Sequence, residues 1–345
     1  MQVKTILTQL GISTAIIVIF LFLQNGYENS IRKSQGFLQQ QFNQLQDTIN
    51  SNNKAASSSK EDMSDEELPQ PDKFSGFLSP QPKSSFNPPD IYNKWHECIM
   101  KNITNRRKEN PENNHWIWKN LWKSMKQCQP IIMNSTLNIG GYSNGDETKR
   151  HVLPLNDDDL SIIITLGIGH DTAAEEKLLK ALKGPSKFYG ADPVYEINAQ
   201  KYNKFGTFFN FGVGAGSGMF NLSVLVDNAY TTRFLPIVDM VHFLKKIVKL
   251  DFIDDIWIDN EGAEYGLFPY FAKDGELDQN DITVCQWNCE IHYPNEEMKK
   301  KFHEFLFRIL DDKRYAFFLP VQGRHLRMFF FNFANEKCIK KYAKI

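Results

Sequence analysis

The alternation of apolar and polar residues is clearest in the segment that begins at residue 161. Residues 162–165 are consecutively β-branched and Leu166 extends the apolar run, which is typical of a strand buried on both faces of a parallel sheet. Gly167 and Gly169 end the run, and Asp171 is a favourable N-cap for the amphipathic segment behind it. The segment predicts a strand, a Gly-x-Gly turn and a helix. Such a turn lets a ligand rest against the backbone and a helix N-terminus, and an ordinary strand-to-helix turn is the alternative.

Strand-like and helix-like segments continue to alternate after this unit, and a strand pair around a turn at Gln322 and Gly323 closes the chain. This order predicts an α/β fold: a Rossmann-like, seven-stranded, mostly parallel sheet with a C-terminal antiparallel hairpin. The predicted strands cover residues 186–191, 207–213, 220–226, 255–258, 282–291, 315–319 and 326–333, and the predicted helices cover residues 237–248, 267–271 and 296–310.

The N-terminal quarter of the chain has a different composition. Residues 6–23 are mostly apolar, and a helix of that length, at about 1.5 Å per residue, just spans a bilayer core of roughly 30 Å. Residues 24–27, Gln-Asn-Gly-Tyr, fit a signal-peptide cleavage site poorly. We therefore predict an uncleaved signal anchor after a short cytoplasmic tail of residues 1–5, with a cleaved signal peptide as the alternative. Residues 24–90 are polar and proline-rich, which predicts a disordered stalk.

Two further parts complete the predicted organisation. Tryptophan-rich helical patterns at residues 91–102 and 116–127 predict a small helical cap, residues 91–150, that packs on the sheet or closes over a ligand. The first of these helices could equally be a structural brace. Strand–helix alternation begins at residue 151, so the sheet-containing domain is expected to cover residues 151–345.

Cysteines and glycosylation sequons bear on the compartment. Of the five cysteines, Cys98 and Cys128 flank a compact-looking segment and are the best candidates for a disulfide, with five buried thiols as the alternative. Cys285 and Cys289 lie about 13 Å apart along a strand, too far to bond each other. Asn-x-Ser/Thr sequons occur at Asn102, Asn134 and Asn221, the last in a strand-like run where burial is expected. We expect a single-pass type II membrane protein whose C-terminal part lies in the ER or Golgi lumen.

The charge balance argues against one class of partner and leaves acidic residues as candidate chemistry. The chain has 40 Lys and Arg residues against 41 Asp and Glu residues, so electrostatics give no reason to expect nucleic acid. Asp192 ends a predicted strand, where nucleotide-binding sheets accept hydrogen bonds from ribose hydroxyls, with capping of the next helix as the alternative. Asp259 and Glu261 follow another strand. His292 shares one strand face with Glu290, and a solvent-facing polar edge is the alternative there.

Four segments carry a resemblance to a known family: LGIGHDTAAEE, FYGADP, FGVGAG and, above all, IWIDNEGAEYGLFPYF. They resemble the FkbM-type methyltransferases, and most of all the membrane-anchored branch abundant in nematodes, over about residues 155–332. The resemblance implies a class I, S-adenosylmethionine-dependent methyltransferase fold and, usually, methylation of a hydroxyl. Two sites depart from the family pattern: Trp257 stands where many relatives have Lys, and His170 with Asp171 replaces the Ala-Asn of the bacterial pattern.

The resemblance also implies roles for individual residues. The glycine turn would face the methionine part of S-adenosylmethionine, and Asp192 would hold its ribose. Asp259 and Glu261 are the candidate catalytic acids, joined by His292, because methyl transfer to oxygen needs a base or a metal to remove the hydroxyl proton. For Glu264, stabilisation of its helix dipole is favoured over catalysis. The candidate cofactor-binding residues are Gly167, Gly169, His170, Asp171, Asp192, Gly212, Val213 and Gly214.

The expected function is therefore O-methylation, dependent on S-adenosylmethionine, of a hydroxyl on a glycan or small polar acceptor in the secretory lumen. A non-catalytic, methyltransferase-like binding module is one alternative. A membrane-anchored glycosyltransferase is another, using the Asp-x-Asp within residues 157–159. Those acids precede a strand, however, which places them at the sheet edge opposite the ligand edge of an open α/β fold. The sequence predicts neither a particular metal nor an oligomeric state.

Overall fold

The computed structural model describes residues 86–109, 114–133, 137–226 and 229–345. The predicted cytoplasmic tail, the signal anchor and nearly all of the predicted stalk lie outside these residues. Within the described ranges, no helix combines the length and the apolar composition needed to cross a bilayer.

A helix pair and a β-hairpin precede the alternating part of the chain. The helices are α1 (Asp90–Glu109), α2 (Asn114–Met133), α3 (Ala173–Ala181), α4 (Glu196–Tyr202), α5 (Met240–His242), α6 (Glu264–Phe271), α7 (Glu276–Gln279), α8 (Glu296–Asp312) and α9 (Glu336–Tyr342), and a π-helical turn (Phe243–Ile247) continues α5. The strands are β1 (Ile139–Ser143), β2 (Thr148–Val152), β3 (Ser161–Leu166), β4 (Ser186–Ala191), β5 (Thr207–Phe209), β6 (Gly212–Gly214), β7 (Gly218–Val226), β8 (Ala229–Asp239), β9 (Phe252–Ile258), β10 (Thr283–Ile291), β11 (Tyr315–Gln322) and β12 (Leu326–Asn332).

Seven strands form the central sheet in the order β11-β12-β10-β9-β3-β4-β5. Strand β12 is antiparallel to both of its neighbours, whereas β10, β9, β3, β4 and β5 pair in parallel. The α/β class, the seven-stranded sheet and its C-terminal antiparallel pair are thereby confirmed. The chain leaves β3 toward β4 and β5, then returns to β9 on the other side of β3. Ligands bind at such a reversal of strand order, beyond the carboxyl ends of the strands.

The sheet is held by apolar residues on both faces. Strand β3 is buried at every position, as its uninterrupted β-branched run predicts. On β10, the Trp287 ring stacks between Phe271 at 4.1 Å and Phe330 at 3.7 Å between ring centroids. Each fully buried side chain of this kind contributes about 1.5–3 kcal/mol, so the central strands form a rigid base for groups at their carboxyl ends.

Helices α1 and α2 brace the far edge of the sheet. Trp95 meets Phe317 of β11 edge to face at 5.0 Å, and Trp118 meets Phe302 of α8 at 5.6 Å between ring centroids. The His96 ring nitrogen Nε2 lies 3.0 Å from the carbonyl oxygen of Leu310. Of the two arrangements considered for these helices, packing on the sheet is the one observed.

A second, three-stranded sheet in the order β6-β8-β7 interrupts the alternation. We call its long hairpin, β7 and β8, the flap. The predicted strand over residues 207–213 divides between the two sheets, as β5 and β6. The helix predicted from residue 237 begins instead at Met240, because residues 229–239 extend along β7 and the Asp239 side chain caps the helix by accepting from the His242 N–H at 2.9 Å.

Two disulfides join elements that are distant in sequence. Cys98–Cys128 links α1 to α2 and confirms the predicted pairing, and Cys285–Cys338 links β10 to α9. Cys289 is buried and has no disulfide partner. The second pair could not be read from the sequence because α9 returns to β10 only in the folded chain.

We expect the Cys285→Ser, Cys338→Ser double variant to lose about 2–4 kcal/mol of unfolding free energy, the usual effect of a bridge closing a loop of this length. Thermal melting of the oxidised wild type and the variant measures the loss. Peptide mapping without reduction should find Cys289 as a free thiol. An unchanged melting temperature in the variant would contradict a bridge at this position.

A buried acid lies in the first turn of α3. Glu175 is 2% exposed, and its Oε1 accepts the Thr165 hydroxyl at 3.0 Å, whereas no described residue hydrogen-bonds its Oε2. Burial raises the pKa of Glu175 to about 7, against the opposing charge of Lys149. The folded protein therefore holds this proton at pH values where the unfolded chain has released it.

Because the folded-state pKa is the higher one, the contribution of Glu175 to stability is fully present below about pH 4.5 and is lost as pH rises to 7. The loss amounts to up to about 3 kcal/mol. Glutamine does not ionise, so we expect Glu175→Gln to keep its stability over this pH range. The difference in unfolding free energy between Glu175→Gln and wild type, measured by denaturant titration, should therefore rise between pH 5 and pH 8. Glu176→Gln, on the same turn, is the matched control. Parallel pH profiles for wild type and Glu175→Gln would exclude the effect.

Candidate functional site

A cavity of about 370 Å³ lies beyond the carboxyl ends of β3, β4 and β9. The glycine turn after β3 forms one wall, and the segment after β9 forms another. The flap supplies a third, largely apolar wall. The lining residues are Gly167, Gly169, Ala191, Asp192, Pro193, Val194, Asn198, Gly212, Val213, Asn221, Leu222, Ser223, Val224, Leu225, Ile237, Asp259, Asn260, Glu261, Gly262, Ala263 and Met298.

The two glycines of the turn have different tasks. Gly167 has φ +81°, and a Cβ there would overlap the backbone carbonyl of Asp259. Gly169 has φ +60°, and a Cβ there would meet no atom within 4 Å. Gly167 thus lets the ends of β3 and β9 approach each other, whereas Gly169 keeps one side of the cavity open.

His170 and Asp171 do not line the cavity. The His170 N–H donates to Asn198 Oδ1 at 2.9 Å. The Asp171 carboxylate accepts from the N–H groups of Ala173 and Gly145, both at 2.9 Å. Asp171 therefore satisfies the first N–H of α3, whose N-cap is Thr172 and not Asp171, and it holds the β1–β2 turn. Both residues support the glycine turn from outside the cavity.

Asp192 lines the cavity and also shapes it. Its Oδ2 accepts from the N–H groups of Ile168 at 2.8 Å and Gly169 at 3.4 Å, and its Oδ1 accepts from Val194 at 2.7 Å. Burial raises its pKa, and these hydrogen bonds oppose the rise. The Asn198 side chain also hydrogen-bonds this carboxylate, so a ligand hydroxyl would share or replace one of these partners.

The predicted segment 212–214 lies only partly at the site. Gly212 and Val213 line the cavity, whereas Gly214 does not. The Asn260 side-chain amide donates to the Val213 carbonyl at 2.9 Å. This contact joins β6 to the acidic segment after β9.

Asp259 and Glu261 both reach the cavity because the chain turns between them. Glu261 has φ +50° and Gly262 has φ +100°, so the alternation of an extended strand is broken. Burial raises the pKa of Asp259 to about 7, with Glu290 and Glu147 adding to the rise and Lys149 opposing it. Two acids thus face one space, and one of them is poised near neutral pH.

His292 completes the predicted catalytic group. Its Nε2 lies 3.6 Å from Asp259 Oδ1 and 3.4 Å from Glu261 Oε2. Its Nδ1 and its backbone N–H lie 3.2 Å and 2.8 Å from Oε1 of the fully buried Glu264. Burial lowers the pKa of His292, but the carboxylates of Glu261 and Glu264 raise it to about 10. The structure therefore brings together all three residues that the sequence offered as catalytic.

Several charged residues of this cluster were not predicted. Lys149 of β2 is buried and ion-pairs with Glu147, and its pKa is raised by the charges of Glu147 and Asp259 despite burial. Arg327 pairs with Glu290 at 2.9 Å and with Glu147 at 3.3 Å. Glu147 and Lys149 reach the site because the Asn288 side-chain amide of β10 docks the β1–β2 hairpin, a contact across more than 130 residues. Arg327 reaches it from β12, which pairs with β10. The sequence signal was the alternation of Glu147, just before β2, with Lys149 on β2.

A hydrogen bond connects the flap to the acidic wall. The Tyr230 hydroxyl donates to Glu261 Oε1 at 2.6 Å, and Arg233 lies 3.5 Å from Glu196 of α4. Asn221, expected to be buried, is exposed on β7 and lines the cavity, because the flap stands apart from the central sheet. Of the other two sequons, Asn102 is half-buried and donates to the Cys98 carbonyl at 2.9 Å, and Asn134 lies outside the described residues.

The acids of the glycosyltransferase alternative lie elsewhere. Residues 157–159 form an exposed turn before β3, and Asp157 pairs with Lys183 at 3.1 Å. They sit at the amino end of β3, as expected, whereas the cavity lies at its carboxyl end. The Asp-x-Asp motif therefore does not contribute to this cavity.

Comparison with known proteins identifies the family. The sequence model of the methyltransferase FkbM domain matches residues 126–317. An uncharacterized protein of Caenorhabditis elegans is 24% identical over 181 residues, which are 52% of this chain and 56% of that protein. The crystal structure of methyltransferase FkbM from Methylobacillus flagellatus KT shows 14% identity and a TM-score of 0.32, covering 51% of this chain and 44% of that one. A human methyltransferase 10 domain containing protein shows 13% identity and a TM-score of 0.24, covering 52% and 75% of the two chains.

The chain thus spans about half the length of the nematode protein and of the bacterial structure that it matches. The domain match covers more than half of this chain and includes the glycine turn, Asp192 and the acids after β9. The protein therefore belongs to the FkbM methyltransferase family.

Proposed function

We propose that the protein is an S-adenosylmethionine-dependent methyltransferase that methylates a hydroxyl on a glycan or small polar acceptor. Its FkbM-type, methyltransferase-like domain supports this proposal. The observation that carries it is the meeting of the glycine turn, Asp192 and the two acids after β9 around one cavity.

The residues present fit the cofactor. A cavity of about 370 Å³ is within the usual range for small-molecule sites, roughly 300–1,000 Å³. Gly169 leaves one wall open, the Asp192 carboxylate lines the cavity beside it, and the flap offers an apolar wall for a planar base. S-adenosylmethionine, when bound, supplies an electrophilic methyl group.

Asp259 and Glu261 are assigned to the acceptor side. Both line the cavity, and His292 holds them by its position between their carboxylates. A carboxylate there can accept the acceptor's hydroxyl hydrogen bond, orient its oxygen and take its proton as the oxygen is methylated. The burial that brings the pKa of Asp259 to about 7 makes it the better base of the two.

The Trp257 departure bears on the binding-module alternative. Its ring is fully buried in β9, and its Nε1 donates to Asp255 Oδ2 at 2.8 Å. A cation is nevertheless present beside it, since Lys149 Nζ lies 5.8 Å from the Trp257 ring centroid and interacts with the charge of Asp259. The departure at position 257 therefore does not by itself favour the binding-module alternative, because a lysine still lies beside the acidic wall.

The compartment is part of the proposal. Two disulfides, Cys98–Cys128 and Cys285–Cys338, are of the kind that persists in oxidising compartments. Together with the predicted signal anchor, they support a single-pass type II membrane protein whose domain faces the ER or Golgi lumen.

Gly169→Ala tests the cofactor site. The added methyl group would project into the open wall of the cavity, and the positive φ adds strain of order 1 kcal/mol, so we expect at least a tenfold weaker S-adenosylmethionine affinity by calorimetry. Gly216→Ala is the matched control, because a Cβ there also meets no atom within 4 Å and Gly216 does not line the cavity. Equal affinities for the two variants would place the cofactor elsewhere.

Asp259→Asn tests the chemistry, because it keeps the shape of the side chain and removes its charge. Removing a base typically costs about 10²–10⁴-fold in rate, so transfer from labelled S-adenosylmethionine to a panel of glycans and small hydroxylated acceptors should fall by that factor while cofactor binding survives. Asp157→Asn, in the exposed turn before β3, should transfer like wild type. No transfer by wild type to any acceptor would favour the binding-module alternative, and full activity of Asp259→Asn would remove that residue from the mechanism.

A further inference from the structure

We propose that Asp259, Glu261 and His292 form a binding site for a first-row divalent metal ion at the acidic wall of the cavity. The inference rests on the arrangement of the ligand atoms and does not require methyl transfer. Within the proposed function it changes the role of the two acids, from free carboxylates to metal ligands.

The distances from His292 Nε2 to the two carboxylates are close to ligand spacing, and small side-chain shifts would bring the whole group, which lies within 4.8 Å, around one ion. His292 Nε2 lies 3.4 Å from Glu261 Oε2 and 3.6 Å from Asp259 Oδ1, and the ligand atoms of the three residues all lie within 4.8 Å of one another. Hydrogen bonds from nitrogen to oxygen are shorter, typically about 2.7–3.2 Å. Ligands that share a metal ion at about 2.1 Å are separated by roughly 3.0–3.4 Å in octahedral or tetrahedral geometry.

The other side of the imidazole is already held. Glu264 is fully buried, and its Oε1 lies 3.2 Å from Nδ1 of His292 and accepts the backbone N–H of that residue at 2.8 Å. Its Oε2 accepts from the Gly262 N–H at 2.8 Å. A carboxylate that holds one ring nitrogen of a metal-binding histidine fixes the ring and leaves the other nitrogen to the metal. Here Nε2 is the nitrogen that points toward Asp259 and Glu261.

Charge balance favours a cation at this position. Lys149 pairs with Glu147, and Arg327 pairs with Glu147 and Glu290. In the described part of the chain, no lysine or arginine forms an ion pair with Asp259, Glu261 or Glu264. His292 is the partner of all three carboxylates, and a divalent ion that displaces the proton from its Nε2 would compensate them in its place.

The ligand set indicates the class of ion. One imidazole with two carboxylates suits manganese, iron or zinc, whereas calcium prefers an all-oxygen shell. Asp259 and Glu261 line the cavity, so the remaining coordination positions face it. An acceptor oxygen bound there would be a stronger acid, because metal coordination lowers the pKa of a bound hydroxyl or water.

Mn²⁺ binding to the full chain, purified in detergent and dialysed against a chelator, tests the site. Free Mn²⁺ is measured by its paramagnetic resonance signal during titration, without S-adenosylmethionine. We expect one bound ion in wild type and at least tenfold weaker binding in His292→Ala and Glu261→Gln. Glu264→Gln should weaken binding by about 10–100-fold, as loss of an outer-shell partner does. Glu261 is partly exposed, so its variant keeps the test valid if His292→Ala does not fold.

His325→Ala is the matched control, because the centroid of the His325 ring lies only 4.6 Å from that of His292. His325 belongs to a different candidate metal-binding group, together with Glu290 and His292. It should bind Mn²⁺ within about twofold of wild type. No Mn²⁺ binding by folded wild type would overturn the inference, as would binding that is lost in His325→Ala and kept in Glu261→Gln. If the protein transfers methyl groups in chelator and binds no Mn²⁺, the metal site is wrong and the proposed reaction stands. If it binds Mn²⁺ and transfers no methyl group, the metal site stands and the proposed reaction is wrong.

Discussion

The close approach of β3 and β9 is the constraint on which the site depends. The two strands pair in parallel up to Leu166 and Ile258, and the Asp259 N–H then donates to the Leu166 carbonyl at 2.8 Å. Only a glycine at position 167 permits this, because a Cβ there would overlap the Asp259 carbonyl. The glycine turn and the acidic segment are therefore neighbours by backbone packing. The backbone therefore fixes where the Asp259 side chain lies, independently of the contacts that this side chain makes.

The acidic wall is stabilised by pairing its charges with groups brought from other elements. Lys149 comes from β2, Glu147 from the turn before it, Arg327 from β12 and Glu290 from β10. Burying such charges without partners would cost several kcal/mol each, and the pairs between them offset that cost for Glu147 and Glu290. Asp259 and Glu261 keep a partly exposed surface on the cavity instead. Asp259 and Glu261 therefore stay accessible to a ligand in the cavity, whereas Glu147 and Glu290 are neutralised by ion pairs.

Local sequence patterns predicted the sheet but not the full site. The β-branched run of β3, the glycine turn and the acids after β9 are short-range signals, and their elements appear where the periodicity placed them. Glu264 shows the limit: its position in the first turn of α6 favoured a helix-dipole role, yet its carboxylate holds His292, 28 residues later. The partners of Cys338 and Lys149 could not be predicted, for the same reason. Their partners are set by how α9 and the β1–β2 hairpin pack on the sheet, which no local period encodes.

The flap forms one wall of the cavity, and local sequence patterns predicted its second strand incorrectly. Residues 229–239 alternate on an exposed strand and only then enter α5, because Asp239 caps that helix. Within the described ranges, the flap forms no strand pairs with the central sheet, and it contacts the site through Tyr230, whose hydroxyl donates to Glu261 at 2.6 Å. The same carboxylate that faces the cavity is thus tied to the wall that covers it. A ligand that binds Glu261 must either lie beside the Tyr230 hydroxyl or displace its hydrogen bond. Binding at the acidic wall would therefore also affect the apolar wall that the flap forms.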